Sequence, residues 1–161
     1  MYQELRLTRR KKKKILKKNK KATLLAAQLL VPATAAERSA QSNYMLRCTG
    51  CHGMDGMGVE AAGIPPFPGF VEVFFNDAQS RLYLMHVPGV VGAGLNDTEI
   101  AEVMNYVVER WGQPGVAVQH FTKEEVDQLR QREVRDVVAL RREITERLAG
   151  EGVVLPEYTW P

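Results

Sequence analysis

A predominantly helical fold is what this sequence predicts, on three observations. From Ile100, the apolar residues Val103, Met104, Val107, Val108 and Trp111 recur at i+3, i+4, i+7, i+8 and i+11, which is one face of an α-helix. A second apolar stripe, Val126, Leu129, Val137, Leu140, Ile144 and Leu148, threads a charged stretch nearer the C-terminus. Both stripes follow a spacing that opens helices, Asn96 to Glu99 and Thr122 to Glu125, in which each partner satisfies a free backbone N–H of the other.

Taken in order, the chain begins with a segment unlike the rest. Residues 1–36 hold 11 Lys/Arg against one acid, Glu4, whereas residues 37–161 hold 11 Lys/Arg against 18 Asp/Glu. The overall charge of +3 therefore hides a +10 leader and a −7 remainder, and the basic character that would suggest nucleic acid belongs to the leader alone. Arg9 to Lys21 reads as a cationic region, Ala22 to Val31 as an apolar core, and Pro32 to Ala36 as a small-residue cleavage site. The expectation is a cleavable Sec-type signal peptide over 1–36 and a mature protein in the periplasm. The apolar run is too short for a stable membrane span, which needs about 20 residues.

Ser39 to Arg47 is expected to form a short helix leading into Cys48-Thr49-Gly50-Cys51-His52. The pattern C-x-x-C-H is the signature of covalent haem c attachment. Two thiols three positions apart can each add to one porphyrin vinyl group, and the next residue turns its imidazole to the iron. A redox dithiol needs no adjoining histidine, and a structural zinc site would need a further thiolate or a paired histidine. The chain has two cysteines. Both are consumed by thioether links, and a domain of roughly 75 residues would rely on the porphyrin for much of its core.

Beyond His52, the run from Gly53 to Gly69 is rich in Gly and Pro and is expected to be a loop, with Phe67 and Phe70 as its apolar anchors. Val71 to Phe75 is ambiguous between strand and helix. Asp77 caps a helix through Leu84, which leaves Met85-His86-Val87-Pro88-Gly89 in a turn. The helix 97–111 closes the domain at Gly112, and Gln113 to Phe121 reads as a linker. A single long helix is expected over 122–150, though Glu133 interrupts its seam, and residues 151–161 form a tail carrying Tyr158 and Trp160.

With these elements in order, residues 39–112, within a haem domain expected over 37–112, resemble a small single-haem class I c-type cytochrome. The resemblance rests on the leading helix with Tyr44 four residues before Cys48, the C-T-G-C-H motif, the P-x-F-x-G loop at Pro65, Phe67 and Gly69, and the final amphipathic helix. It implies an all-α fold, cytochrome c-like helices wrapped around one covalently bound haem, here with a long C-terminal helix added. It implies that Cys48 and Cys51 hold the porphyrin, that His52 is the proximal iron ligand, and that the Pro65 carbonyl accepts its Nδ1–H. Phe67 would lie against the haem where the family often has leucine. For the distal ligand the family points to a methionine before the last helix. Met85 occupies that loop, and His86 is the alternative, which would give two imidazoles and a lower potential.

Nothing in the motifs suggests acid–base catalysis or a nucleotide site. The expected function is that of an electron carrier, not an enzyme, passing one electron at a time between redox proteins of a respiratory or dehydrogenase chain. The acidic mature chain favours partners with a basic docking patch. Two alternatives stay open at this point. One is a haem-bearing subunit of a larger oxidoreductase complex docked through helix 122–149, and the other a ligand-binding or peroxidatic haem protein with an open distal site.

Overall fold

The computed structural model describes residues 38–153 and 155. The expected signal peptide and the tail aromatics Tyr158 and Trp160 lie outside the described residues. Within them the fold is all-α. No strand is present among the described residues, and a lone antiparallel bridge joins Val59 to Ile64.

Helix α1 (Ala40–Arg47) starts on Ser39, whose side chain accepts from the Ser42 N–H, and α2 (Thr49–His52) is a single turn carrying the haem motif. A loop with one 3₁₀ turn at Glu60–Ala62 leads to α3 (Val71–Asn76). The ambiguous Val71–Phe75 run is thus helical, with Val71, Phe74 and Phe75 buried. Helix α4 (Ala78–Leu84) begins on Asp77 as expected, through the Ser80 N–H, and has Met85 at its C-terminal cap. A turn, α5 (Pro88–Val91), precedes α6 (Asp97–Trp111), which opens with the complete Asn96/Glu99 capping box.

The apolar face of α6 behaves as its periodicity dictates. Ile100, Val103, Met104, Val107 and Val108 are buried, and they share one core with Tyr44, Val71, Phe75, Leu82 and Met85. Each fully buried side chain of this size contributes about 1.5–3 kcal/mol relative to exposure. Tyr44 ties α1 to that core twice. Its ring meets Trp111 at 4.9 Å and Tyr106 at 5.7 Å, and its hydroxyl donates to the Gly53 carbonyl at 2.7 Å.

The long helix expected over 122–150 is instead two helices, α7 (Lys123–Arg130) and α8 (Val137–Gly150). Continuity would have carried Glu133 into the apolar seam. The break at 131–136 leaves it in solvent, paired with Arg135 at 2.9 Å, while Asp136 caps α8 through the N–H groups of Val138 and Ala139. Helix α8 ends through Gly152 at φ 85°, with the Val153 N–H reaching back to the Leu148 carbonyl. The two helices pack differently. Val126 and Leu129 join the main core, whereas Ile144 and Leu148 form a second cluster with Phe74 and Tyr83.

The stretch expected as a linker, 113–121, is irregular but fastened along its length. Asn76 bonds the Ala117 carbonyl and the Gln119 N–H, and Asn105 bonds both backbone groups of Phe121, whose ring is buried. Residues 113–121 therefore act as a strap over α3 and α6.

Candidate haem centre

The motif sits where two helices nearly fuse. Cys48 closes α1 by donating its N–H to the Tyr44 carbonyl, and the Cys51 and His52 N–H groups then bond the Cys48 carbonyl. This single turn sets Cys48, Cys51 and His52 one helical step apart. Cys48 is half-buried against the main core and Cys51 is exposed. Burial, with Cys51 beside it, pushes the Cys48 thiol up to about 11, so it is present as the thiol at neutral pH.

His52 turns its ring inward. Burial lowers its pKa to about 4, because the charged imidazolium is poorly solvated there; the nearby Pro65 carbonyl opposes the shift but is outweighed. The imidazole is therefore neutral at pH 7, as an iron ligand must be. Its Nδ1 is buried and makes no hydrogen bond of normal geometry, yet the Pro65 carbonyl is close enough to favour a proton on it. A proton held at Nδ1 leaves the Nε2 lone pair for a metal. Phe67 stacks on the same ring at 4.1 Å between centroids. The loop thus brings Pro65 and Phe67 to His52, and it is closed by hydrogen bonds from Gly58 N–H to the His52 carbonyl and from Phe67 N–H to the Gly56 carbonyl.

Met85 is 1% exposed and lies in the main core, which Phe67 and Cys48 border. His86 is directed elsewhere. Its Nδ1 lies 2.9 Å from the Leu82 carbonyl and its Nε2 lies 2.9 Å from the Arg132 carbonyl, so both ring nitrogens are turned to backbone oxygen. The remaining methionines divide as their positions require. Met45, Met54 and Met57 are exposed, and Met104 is packed on the inner face of α6.

Two residues that support the site are not evident from motif reading. Trp111, counted on the sequence only as the last member of a helix stripe, sits 5.5 Å from the Phe67 ring and directly beneath Gly56. Arg81 lies buried one turn before Met85 and binds the segment that follows α6. An arginine within the short apolar run Arg81-Leu82-Tyr83-Leu84 is the signal that could have marked it. A charge there must be paired.

The arrangement suits covalent haem: two thiols one turn apart, a neutral half-buried imidazole whose buried Nδ1 lies beside a carbonyl, and a buried thioether in the core those residues border. Comparison with known proteins agrees. No family model matches the chain. The chain is similar to a cytochrome c-552 of Thermus thermophilus, 31% identical over 140 residues that span 73% of this chain and 94% of that protein. A second cytochrome c-552 from the same species is 31% identical over 120 residues, spanning 61% of this chain and 91% of its own.

Proposed function

Because this chain belongs to the family of c-type cytochromes, we propose that it is a single-haem, class I member that works as a periplasmic electron carrier. Haem c supplies a one-electron centre, its iron alternating between ferric and ferrous. Cys48 and Cys51 would anchor it through thioether links and His52 would ligate the iron. The observation that carries the reading is the state of His52: half-buried and neutral, with its buried Nδ1 beside the Pro65 carbonyl. Phe67 fixes the plane of the imidazole and keeps water from that face.

Met85 is the distal ligand in this reading. Its burial keeps the thioether out of solvent, which favours a raised potential. The direction of the His86 ring, whose two nitrogens face the Leu82 and Arg132 carbonyls and whose N–H donates to one of them, argues against His86 in the same role. The signal peptide over 1–36 would deliver the chain to the periplasm. There its acidic mature surface would dock on redox proteins with basic patches, in a respiratory or dehydrogenase chain. The apolar faces of α7 and α8 are spent on the chain's own core, which supports a diffusing carrier over a subunit docked through 122–149.

The test is the ferric spectrum of the haem-loaded protein, followed into the near infrared. A methionine–iron charge-transfer band is expected in the wild type and in His86→Ala, and its loss in Met85→Ala. A band that survives Met85→Ala removes the assignment, and a high-spin wild-type spectrum points to an open distal site.

A further inference from the structure

Arg81 is 5% exposed, yet every N–H of its guanidinium has an acceptor. Nε donates to Glu125 Oε1 at 2.6 Å and Nη2 to Glu125 Oε2 at 2.5 Å, the two-pronged geometry that suits a carboxylate. Nη1 donates to the Phe75 carbonyl at 2.6 Å and to the Gln119 carbonyl at 2.7 Å, and Nη2 also reaches the His120 carbonyl at 3.3 Å. The guanidinium plane lies over the Phe121 ring, 3.8 Å from its centroid. One side chain on α4 thus joins the end of α3, the strap and α7.

Its place relative to Met85 matters more than the number of bonds. The Met85 N–H bonds the Arg81 carbonyl, so the two residues are successive steps of one helical turn. On the other side of Met85, His86 reaches the Arg132 carbonyl just beyond α7. The residue four before Met85 and the residue after it are therefore both fastened to the segment 119–132. A backbone movement that carried the Met85 side chain out of the core would have to break these bonds.

We propose that Arg81 is a positioning residue for the distal ligand: gripping Glu125 and the strap, it holds Met85 inward and sets how readily another ligand displaces it. The proposal rests on Met85 being that ligand. An added ligand binds only from states in which the methionine has left, so its apparent affinity is its intrinsic affinity scaled by the population of those states. Weakening the grip of Arg81 raises that population by local opening, without unfolding the rest.

Imidazole titration of the ferric, haem-loaded full chain, followed by absorbance, tests this. Arg81→Leu would leave Glu125 unpaired and could fail to fold, so Glu125→Gln carries the experiment. It keeps the shape and removes the charge. Glu125→Gln should raise the apparent imidazole affinity about tenfold at temperatures well below its unfolding. Arg147→Gln, which removes the ion pairs to Asp77 and Glu151, should lower the melting temperature and leave that affinity unchanged. If Glu125→Gln lowers the melting temperature without moving the affinity, Arg81 only stabilises the fold and the proposal is overturned. Met85→Ala separates the two levels. If it leaves the affinity unchanged, the ligand assignment fails and takes the proposal with it. If it raises the affinity while Glu125→Gln does not, the proposal about Arg81 fails alone.

Discussion

The ring of Phe67 lies nearly flat on the imidazole of His52, with centroids 4.1 Å apart and planes inclined by 18°. The stack fixes the orientation of the imidazole, and it does so from a loop that has little regular structure of its own. Phe67→Ala should remove roughly 2 kcal/mol of stability, counting lost burial and ring contact. Phe67→Leu, the residue the family often carries, should recover most of it. Denaturant unfolding of the haem-loaded variants measures both, and equal losses would show that bulk restores nothing and that the aromatic stack carries the contact.

The loop is pressed against Trp111 at Gly56. That glycine has φ 75°, and a Cβ built on it would lie 2.7 Å from the indole. Gly69 has a similar backbone, φ 84°, with nothing near its would-be Cβ. Gly69→Ala should cost only the strain of a left-handed alanine, about 1–2 kcal/mol. Gly56→Ala should cost distinctly more, because the indole and the loop must separate. Melting temperatures of the pair isolate the contact from the strain, and similar values would mean that Trp111 yields freely.

Asn105 holds the strap at one point by two bonds. Its side chain donates to the Phe121 carbonyl at 2.9 Å and accepts from the Phe121 N–H at 2.8 Å. Asn105→Ala leaves both groups without their partner and should lower stability by roughly 2–3 kcal/mol. Limited proteolysis should then cut first within 113–121. Unchanged resistance there would show that Arg81 and Asn76 hold the strap unaided.

Acid should weaken the start of α4. Burial alone would raise the Asp77 pKa, but the Ser80 hydroxyl, the Ser80 N–H and the Arg147 guanidinium together hold it below its ordinary 3.8. A folded value lower than the unfolded one means that Asp77 adds stability above pH 3.8, and that this share is lost as pH falls through the lower folded value. Asp77→Asn should therefore flatten the acid limb of the stability curve measured by denaturant midpoints. An unchanged limb would assign the acid sensitivity to other carboxylates.

Much of this fold was legible because local rules and tertiary packing agree. Helix α6 shows its buried face, its Asn96/Glu99 cap and its end at Gly112 in the sequence, and the structure has all three. Thr122 and Glu125 met only half of the same rule. Thr122 accepts from the Glu125 N–H, but the Glu125 carboxylate is taken by Arg81, a partner 44 residues away in the chain. No local pattern carries that information. The break between α7 and α8 was half-legible, since Glu133 marked the flaw in the seam without saying whether the helix would bury it or stop. At the site, the C-x-x-C-H spacing pointed to the cofactor directly, whereas the fold was needed to bring Trp111 to the haem loop and Glu125 and the strap to Arg81.

Trp111 also makes the molecule its own optical probe. Its indole lies 5.5 Å from Phe67, and Phe67 lies 4.1 Å from the ring that would carry the iron. With haem held at His52, the indole would be near enough to lose its excitation to the porphyrin and stay dark, so its emission should return as the chain opens. With Trp160 replaced by phenylalanine, fluorescence would follow the separation of α6 from the haem loop with no added label.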